Sequence, residues 1–222
     1  MGSELELKYK LPVPCAEMEQ RLLAVRYEQT KFSHEVDDYY VVNEELSGPP
    51  EGSKLDVTSC VITYGDSSID LSPEQASEFK AMYDNMYGKS YLRIRHDLER
   101  VGQDGEYCVT YKRKTEDKND RKEFEVKVTP EQASKFRELF ENAYMMDPIT
   151  VDKVRKTFMR DERGYEVCLD EVQELGDFTE FENKGNTPVE ELNAAASELL
   201  LTEVDRVPEL KYADMMKALR NT

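Results

Sequence analysis

Charged and apolar residues alternate in six short stretches of the chain, and alternation with period two marks a strand with two unlike faces. In Glu4-Leu5-Glu6-Leu7-Lys8 the charged residues share one face, while Leu5, Leu7 and Tyr9 share the other. The same reading pairs Arg93 with Arg95, Lys112 with Lys114, Glu123 with Glu125, Lys153 with Arg155, and Glu180 with Glu182. The segments His34 to Val42 and Leu55 to Tyr64 also read as strands, separated by a loop from Asn43 to Lys54 rich in Gly and Pro. The polar run Thr115 to Asp120 predicts a hairpin turn between Tyr107 to Lys114 and Arg121 to Val128.

Helical spacing interrupts the strands. One helix is expected over Pro14 to Tyr27. Two more begin with nearly the same words, Ser72-Pro73-Glu74-Gln75-Ala76-Ser77 and Thr129-Pro130-Glu131-Gln132-Ala133-Ser134. Each start offers Ser or Thr as N-cap, Pro at the first helical position and Gln at the third, a set that satisfies the free amides of a first turn. Their apolar stripes, Ala76, Phe79, Met82 and Tyr83 in one and Ala133, Phe136, Leu139 and Phe140 in the other, are expected on the outer face of a sheet. The repeat reads equally well as an old duplication or as a convenient capped helix. Thr187-Pro188-Val189-Glu190 reads as a capping box opening a helix to about Thr202, and Pro208 starts a last one. The fold class is α+β, with antiparallel pairing dominant.

Composition narrows the partners. With 222 residues the chain can bury a real core, and a single domain is expected. Its 47 acidic against 30 basic residues give a formal charge of -17, which argues against nucleic acid or an anionic membrane as partner. Cys15, Cys60, Cys108 and Cys168 lie far apart and suggest buried thiols, not a zinc site or redox pair. No signal-peptide core and no run near the ~20 apolar residues of a membrane span is present, so a cytoplasmic location is expected.

If the sheet closes into a barrel, one face becomes an interior, and here that interior carries charge of both signs. Carboxylates hold hard cations while Lys and Arg neutralise phosphate oxygens, so such a lining suits a polyphosphate with its divalent metals. Glu4 and Glu6 on one strand can hold one ion. Asp170, Glu180 and Glu182, from two strands joined around Leu175-Gly176-Asp177, complete that site or make a second, whose metal would acidify a water as nucleophile. Lys8, Arg93, Arg95, Lys112, Lys114, Lys153 and Arg155 would face the phosphates.

These residues carry a resemblance. Glu4-Leu5-Glu6-Leu7-Lys8 is similar to the ExExK signature of the CYTH family, also called triphosphate tunnel metalloenzymes, which includes class IV adenylyl cyclases and thiamine triphosphatases. In family order follow Asp37-Asp38-Tyr39-Tyr40, Leu92-Arg93-Ile94-Arg95, Thr110-Tyr111-Lys112, Arg121 with Glu123, Lys153-Val154-Arg155, the closing segment Leu169 to Glu182, and Lys211-Tyr212 near the end. The resemblance implies a closed eight-stranded antiparallel β-barrel with helices outside, Mg²⁺ or Mn²⁺, and a triphosphate-bearing small molecule. It makes Glu4, Glu6, Asp170, Glu180 and Glu182 metal ligands, with Asp170, Glu180 and Glu182 catalytic. It makes Lys8, Arg93, Arg95, Lys112, Lys153 and Arg155 phosphate binders. Lys114, Arg121, Glu123 and Glu125 are additional tunnel residues.

The chain departs from a short family member by an inserted segment over about 43–90, expected to hold one strand and the first repeat helix, and it ends in a helical region over about 187–222. Arg113-Lys114 stand where the family more often has Gly and Pro. The leading expectation is a metal-dependent triphosphatase acting on inorganic or organic triphosphate, as a monomer or homodimer. The alternatives are a class IV adenylyl cyclase, which the Leu175-Gly176-Asp177-Phe178 turn resembles, and a module that binds a polyphosphate without cleaving it.

Overall fold

The structure is a computed structural model and describes residues 6–41, 47–88, 90–98, 105–114, 121–144, 148–160, 164–183, 187–207 and 211–220. In chain order the elements are β1 (Glu6–Lys10), α1 (Cys15–Ala24), β2 (Glu28–Val41), β3 (Ser53–Asp56), β4 (Val61–Tyr64), β5 (Ser67–Asp70), α2 (Pro73–Tyr83), β6 (Ser90–Asp97), β7 (Glu106–Lys114), β8 (Arg121–Val128), α3 (Pro130–Tyr144), β9 (Ile149–Met159), β10 (Tyr165–Val172), β11 (Gly176–Asn183), α4 (Val189–Glu198) and α5 (Tyr212–Arg220). Eight strands form one antiparallel sheet in the order β1-β11-β10-β9-β2-β6-β7-β8, and β3-β4-β5 form a second. The order has β1 at one end and β8 at the other. The α+β class with an eight-stranded antiparallel sheet is therefore seen, and the ring that would close it belongs to the functional proposal.

The chain divides into two compact units, Met1–Glu35 with Val151–Thr222, and Val36–Thr150. In the first, the inward side chains of the strands and two helices make one apolar cluster. Leu7, Tyr9, Val167, Leu169 and Phe181 from the strands meet Met18 and Leu22 of α1 and Leu192, Ala195 and Ala196 of α4. The period-two pattern thus sends the apolar face of β1, β10 and β11 under helices and leaves the charged face to itself. Pro14 has no side-chain acceptor for the start of α1, and the backbone N–H of Cys15 instead donates to Asp177 Oδ2 at 2.8 Å. The β10–β11 turn uses Gly176 at φ 94, a conformation that costs a glycine nothing.

The capping box expected at Thr187 does not form. The N-cap of α4 is Pro188, and Thr187 is bound instead through its backbone, which gives its N–H to Asn183 Oδ1 and accepts from Asn183 Nδ2. Residues 208–210, where the last helix was expected to begin at Pro208, lie outside the described residues.

In the second unit α2 and α3 cover the apolar face of β6, β7 and β8. Phe79, Met82, Phe136, Leu139 and Phe140 are buried with Leu92, Ile94, Val109, Tyr111 and Val126, and the Phe79 and Phe136 rings stack 4.8 Å apart. Both expected helix starts are present. Ser72 Oγ accepts from Gln75 N while Gln75 Oε1 accepts from Ser72 N, and Thr129 and Gln132 repeat the exchange. Each box stabilises its helix by about 1 kcal/mol. The two glutamines also bind each other, and each donates to a carbonyl before the other helix, Lys127 O and Asp70 O.

The single strand expected over Leu55 to Tyr64 is two. Asp56 Oδ1 accepts from the backbone N–H of Thr58 and Ser59, and Cys60 turns at φ 55, which folds β3 back on β4. Residues 47–88, within the segment expected to be inserted, thus carry three strands and α2. The predicted turn from Thr115 to Asp120 lies outside the described residues, although β7 and β8 pair on either side of it in register from Tyr107 with Val128 to Lys114 with Arg121. All four cysteines are free; Cys15, Cys108 and Cys168 are buried as expected, and Cys60 is partly exposed. Among the described residues no helix is long and apolar enough to cross a membrane.

Candidate functional site

Strand register explains which charges meet. In the first unit Glu6 stands opposite Glu182 and Lys8 opposite Glu180 across β1 and β11, while Asp170 of β10 stands opposite Arg155 of β9. Side chains opposite each other in an antiparallel pair lie on the same face. The result is one charged layer. Lys8 Nζ lies 2.9 Å from Glu180 Oε1 and 3.4 Å from Glu6 Oε1. Arg155 gives Nε to Asp170 Oδ1 and Nη2 to Asp170 Oδ2, both at 2.6 Å, and Nη1 to Glu182 Oε1 at 2.9 Å. Its Nη2 also contacts Glu180 Oε2. Lys153 pairs with Glu35 Oε2 at 3.1 Å, and Ser33 Oγ donates to Glu35 Oε1.

Electrostatics divides these acids. Burial works against the Glu180 carboxylate, but Arg155, Lys8 and Lys153 outweigh it and hold Glu180 well below the usual carboxylate range. Glu6 moves the other way. Withdrawal from water comes first, then the negative charge of Glu180 and Glu182, and together they exceed the pull of Lys8 and Arg155 and raise its carboxyl above the ordinary range.

The second unit holds another charged layer. Arg95 forms a fork on the fully buried Asp37, with Nε to Oδ1 at 2.7 Å and Nη2 to Oδ2 at 2.8 Å. Arg93, Thr110 and Glu125 stand side by side across β6, β7 and β8. Arg93 Nη2 donates to Thr110 Oγ1 at 3.0 Å and lies 3.6 Å from both Glu123 and Glu125. Lys112 faces Glu123 across the pair, Nζ to Oε2 at 2.7 Å. Arg93 Nε is buried without a hydrogen-bond partner among the described residues. A buried donor left so costs free energy that an incoming acceptor would recover.

The structure thus groups Glu6, Lys8, Lys153, Arg155, Asp170, Glu180 and Glu182 in one unit, and Arg93, Arg95, Lys112, Glu123 and Glu125 in the other. Glu4 lies outside the described residues, as do the side chains of Lys114 and Arg121. Three members were not assigned a role from sequence. Glu35 and Asp37 follow the same alternation in β2 and could have been found by it. Tyr212 sits on α5, where no strand period applies, yet its hydroxyl donates to Asp170 Oδ2 at 2.8 Å.

Among the described residues no three His, Cys, Asp or Glu side chains form a ready metal cage, because Arg155 and Lys8 stand between the carboxylates. The donor chemistry nevertheless fits a divalent ion. Among the described residues joined by the ion pairs of the first layer, five carboxylates, Glu6, Glu35, Asp170, Glu180 and Glu182, stand against three cations, Lys8, Lys153 and Arg155. The shortfall is two positive charges, and the raised Glu6 carboxyl is where that shortfall is felt. A hard cation on oxygen ligands would cancel it.

Comparison with known proteins follows the same line. The chain resembles solved structures over nearly its whole length, at identities that speak for the fold. A conserved hypothetical protein from Pyrococcus furiosus is 20% identical with a TM-score of 0.61, covering 96% of this chain and 99% of that chain. The PH1819 protein from Pyrococcus horikoshii OT3 is 23% identical with a TM-score of 0.62, covering 98% and 99%. A provisionally assigned adenylate cyclase from Vibrio parahaemolyticus is 16% identical with a TM-score of 0.57, covering 97% and 98%. No curated protein matches. The CYTH domain profile matches residues 74–210. With that match over more than half its length, and with paired acidic and basic strand faces, the chain belongs to the CYTH domain family of triphosphate-binding, generally metal-dependent enzymes.

Proposed function

We propose that this protein is a metal-dependent triphosphatase that cleaves a terminal phosphoanhydride of inorganic or organic triphosphate. The observation that carries the reading is the charge shortfall of the first layer, five carboxylates beside three phosphate-binding cations. A bare polyanion binds such a layer weakly, whereas a triphosphate arriving with a divalent ion satisfies both signs. Glu4, Glu6, Asp170, Glu180 and Glu182 hold Mg²⁺ or Mn²⁺, which when bound neutralises phosphate charge and acidifies water. Lys8, Lys153 and Arg155, released from their carboxylates, bind phosphate oxygens, and so do Arg93, Arg95 and Lys112. Arg93 Nε supplies a donor already desolvated. Phosphoryl transfer asks of a protein mainly position and charge neutralisation, and these side chains provide both.

The proposal includes the closed barrel, a single domain over 1–222 with the insert over about 43–90 and the helical region over about 187–222, a cytoplasmic location, and a monomer or homodimer. By the family resemblance Glu123 and Glu125 are further candidate tunnel residues, as are Lys114 and Arg121, whose side chains lie outside the described residues. A second reading, class IV adenylyl cyclase, is favoured by the similarity to the Vibrio protein and by the Leu175-Gly176-Asp177-Phe178 turn. Phosphorus NMR of the protein with tripolyphosphate, ATP and thiamine triphosphate separately, with Mg²⁺ or Mn²⁺, decides between them. Orthophosphate is the expected product. Pyrophosphate with cyclic AMP from ATP would establish the cyclase, and intact substrates would leave a binding module.

A further inference from the structure

Helices α1 and α4 pack on the apolar face of the first unit, but α5 brings a side chain to the charged face. Tyr212 is 4% exposed. Its ring lies under Lys8 Nζ at 4.1 Å and within 5.6 Å of Lys153 Nζ, and it meets the ring of Phe178 edge-on at 5.2 Å. Its hydroxyl donates to Asp170 Oδ2. Buried tyrosine beside three charged groups is a costly way to fill space, since a leucine or methionine would pack there without a polar atom to satisfy.

From this geometry we infer that Tyr212 is a positioning residue, fixing the Asp170 carboxylate through its hydroxyl and the Lys8 ammonium through its ring. The inference rests on the proposed metal-dependent reaction. Asp170 takes Arg155 Nε on one oxygen and Arg155 Nη2 with the Tyr212 hydroxyl on the other. The arginine sets the plane of the carboxylate. The tyrosine takes the second lone pair of Oδ2, so the one left available to a cation is on Oδ1. Burial, followed by the charges of Asp170 and Glu180, pushes the phenol well above its ordinary range. The ring face does different work: it holds the ammonium of Lys8 by a cation–π contact as Lys8 is handed from Glu180 and Glu6 to phosphate. Partners one shell out from a metal ligand change metal affinity or activity by about 10- to 100-fold.

The two roles separate in two variants of the full chain. Tyr212→Phe keeps the ring and loses the hydroxyl; Tyr212→Leu loses both. Mn²⁺ binding is read from the loss of the free-ion EPR signal, tripolyphosphate binding by calorimetry in EDTA, turnover by phosphate release, and folding by thermal melting. For Tyr212→Phe the Mn²⁺ dissociation constant and the Mn²⁺ concentration for half-maximal turnover rise about tenfold, while tripolyphosphate binding in EDTA stays within about twofold. For Tyr212→Leu both weaken. Wild-type Mn²⁺ binding in Tyr212→Phe overturns the inference, as does a parallel fall of metal binding, anion binding and melting temperature, which would mark a packing role. If Tyr212→Leu fails to fold, Tyr212→Phe decides alone. Wild-type protein that binds neither Mn²⁺ nor tripolyphosphate overturns the functional reading itself, and the positioning role with it.

Discussion

Glu180→Gln tests the charge argument most directly, because it has opposite effects on the two ligands. Glu180 lies at the centre of the first layer, 2.9 Å from Lys8 and in contact with Arg155. The substitution keeps the shape and removes one negative charge. Breaking a buried ion pair ordinarily costs about 3–5 kcal/mol. Arg155 keeps Asp170 and Glu182, and Lys8 keeps Glu6, so a loss of about 2 kcal/mol, at or below the low end of that range, is expected.

For a metal-free phosphate near Lys8, removal of a like charge at ~6 Å with an effective dielectric of ~20 is worth about 3 kcal/mol. Re-pairing of Arg155 with its remaining acids and screening by salt reduce this to about 1–2 kcal/mol, or roughly tenfold tighter binding. Metal binding moves the other way and turnover is abolished. The assays are calorimetry with tripolyphosphate in EDTA, Mn²⁺ EPR and phosphate release. A variant that turns over at the wild-type rate, or that binds metal-free tripolyphosphate more weakly than wild type while still folded, would refute the reasoning.

Asp37→Asn removes the charge against which Arg95 forks and Arg93 leans; KM for tripolyphosphate should rise about tenfold or more as the two guanidinium groups lose their anchor, and steady-state kinetics would show it. Phe136→Ala, at 1% exposure and stacked on Phe79, should cost about 3–5 kcal/mol in urea unfolding while Mn²⁺ and tripolyphosphate affinities of the folded fraction stay unchanged. Thr129→Ala should cost about 1 kcal/mol by the same measurement through loss of the helix cap, and a neutral result would discount the capping box.

Alternation reached Glu6, Lys8, Arg93, Arg95, Lys112, Lys153, Arg155, Glu180 and Glu182 because a strand converts spacing in the chain directly into a shared face. Asp37 is visible in the family-like Asp37-Asp38-Tyr39-Tyr40 element, and its alternation with Glu35 separates it from Asp38, which turns instead to Arg137 and Thr150. Tyr212 stands in the family-like Lys211-Tyr212 element, but its partner is not legible there, since it is 42 residues from Asp170 in the chain and only tertiary packing brings the two together. The stretch Leu55 to Tyr64 reads as unbroken because Asp56-Val57-Thr58-Ser59 contains neither Gly nor Pro, and the turn is made by an aspartate side chain. Thr187 is not the cap because α4 begins one residue later, with Pro188 at the N-cap, and Asn183 binds the Thr187 backbone.

The interlocked glutamines at the starts of α2 and α3 have a consequence for how the second unit opens. Gln75 and Gln132, 57 residues apart, each cap their own helix, tie down the chain before the other helix, and hydrogen-bond to each other. Neither helix start can fray without taking bonds from its twin. A helix held only by its two ends would be free to breathe independently, with amide protons that exchange early. Here the first turn of α2 is held by the same knot as the first turn of α3, so the two helices share one opening event.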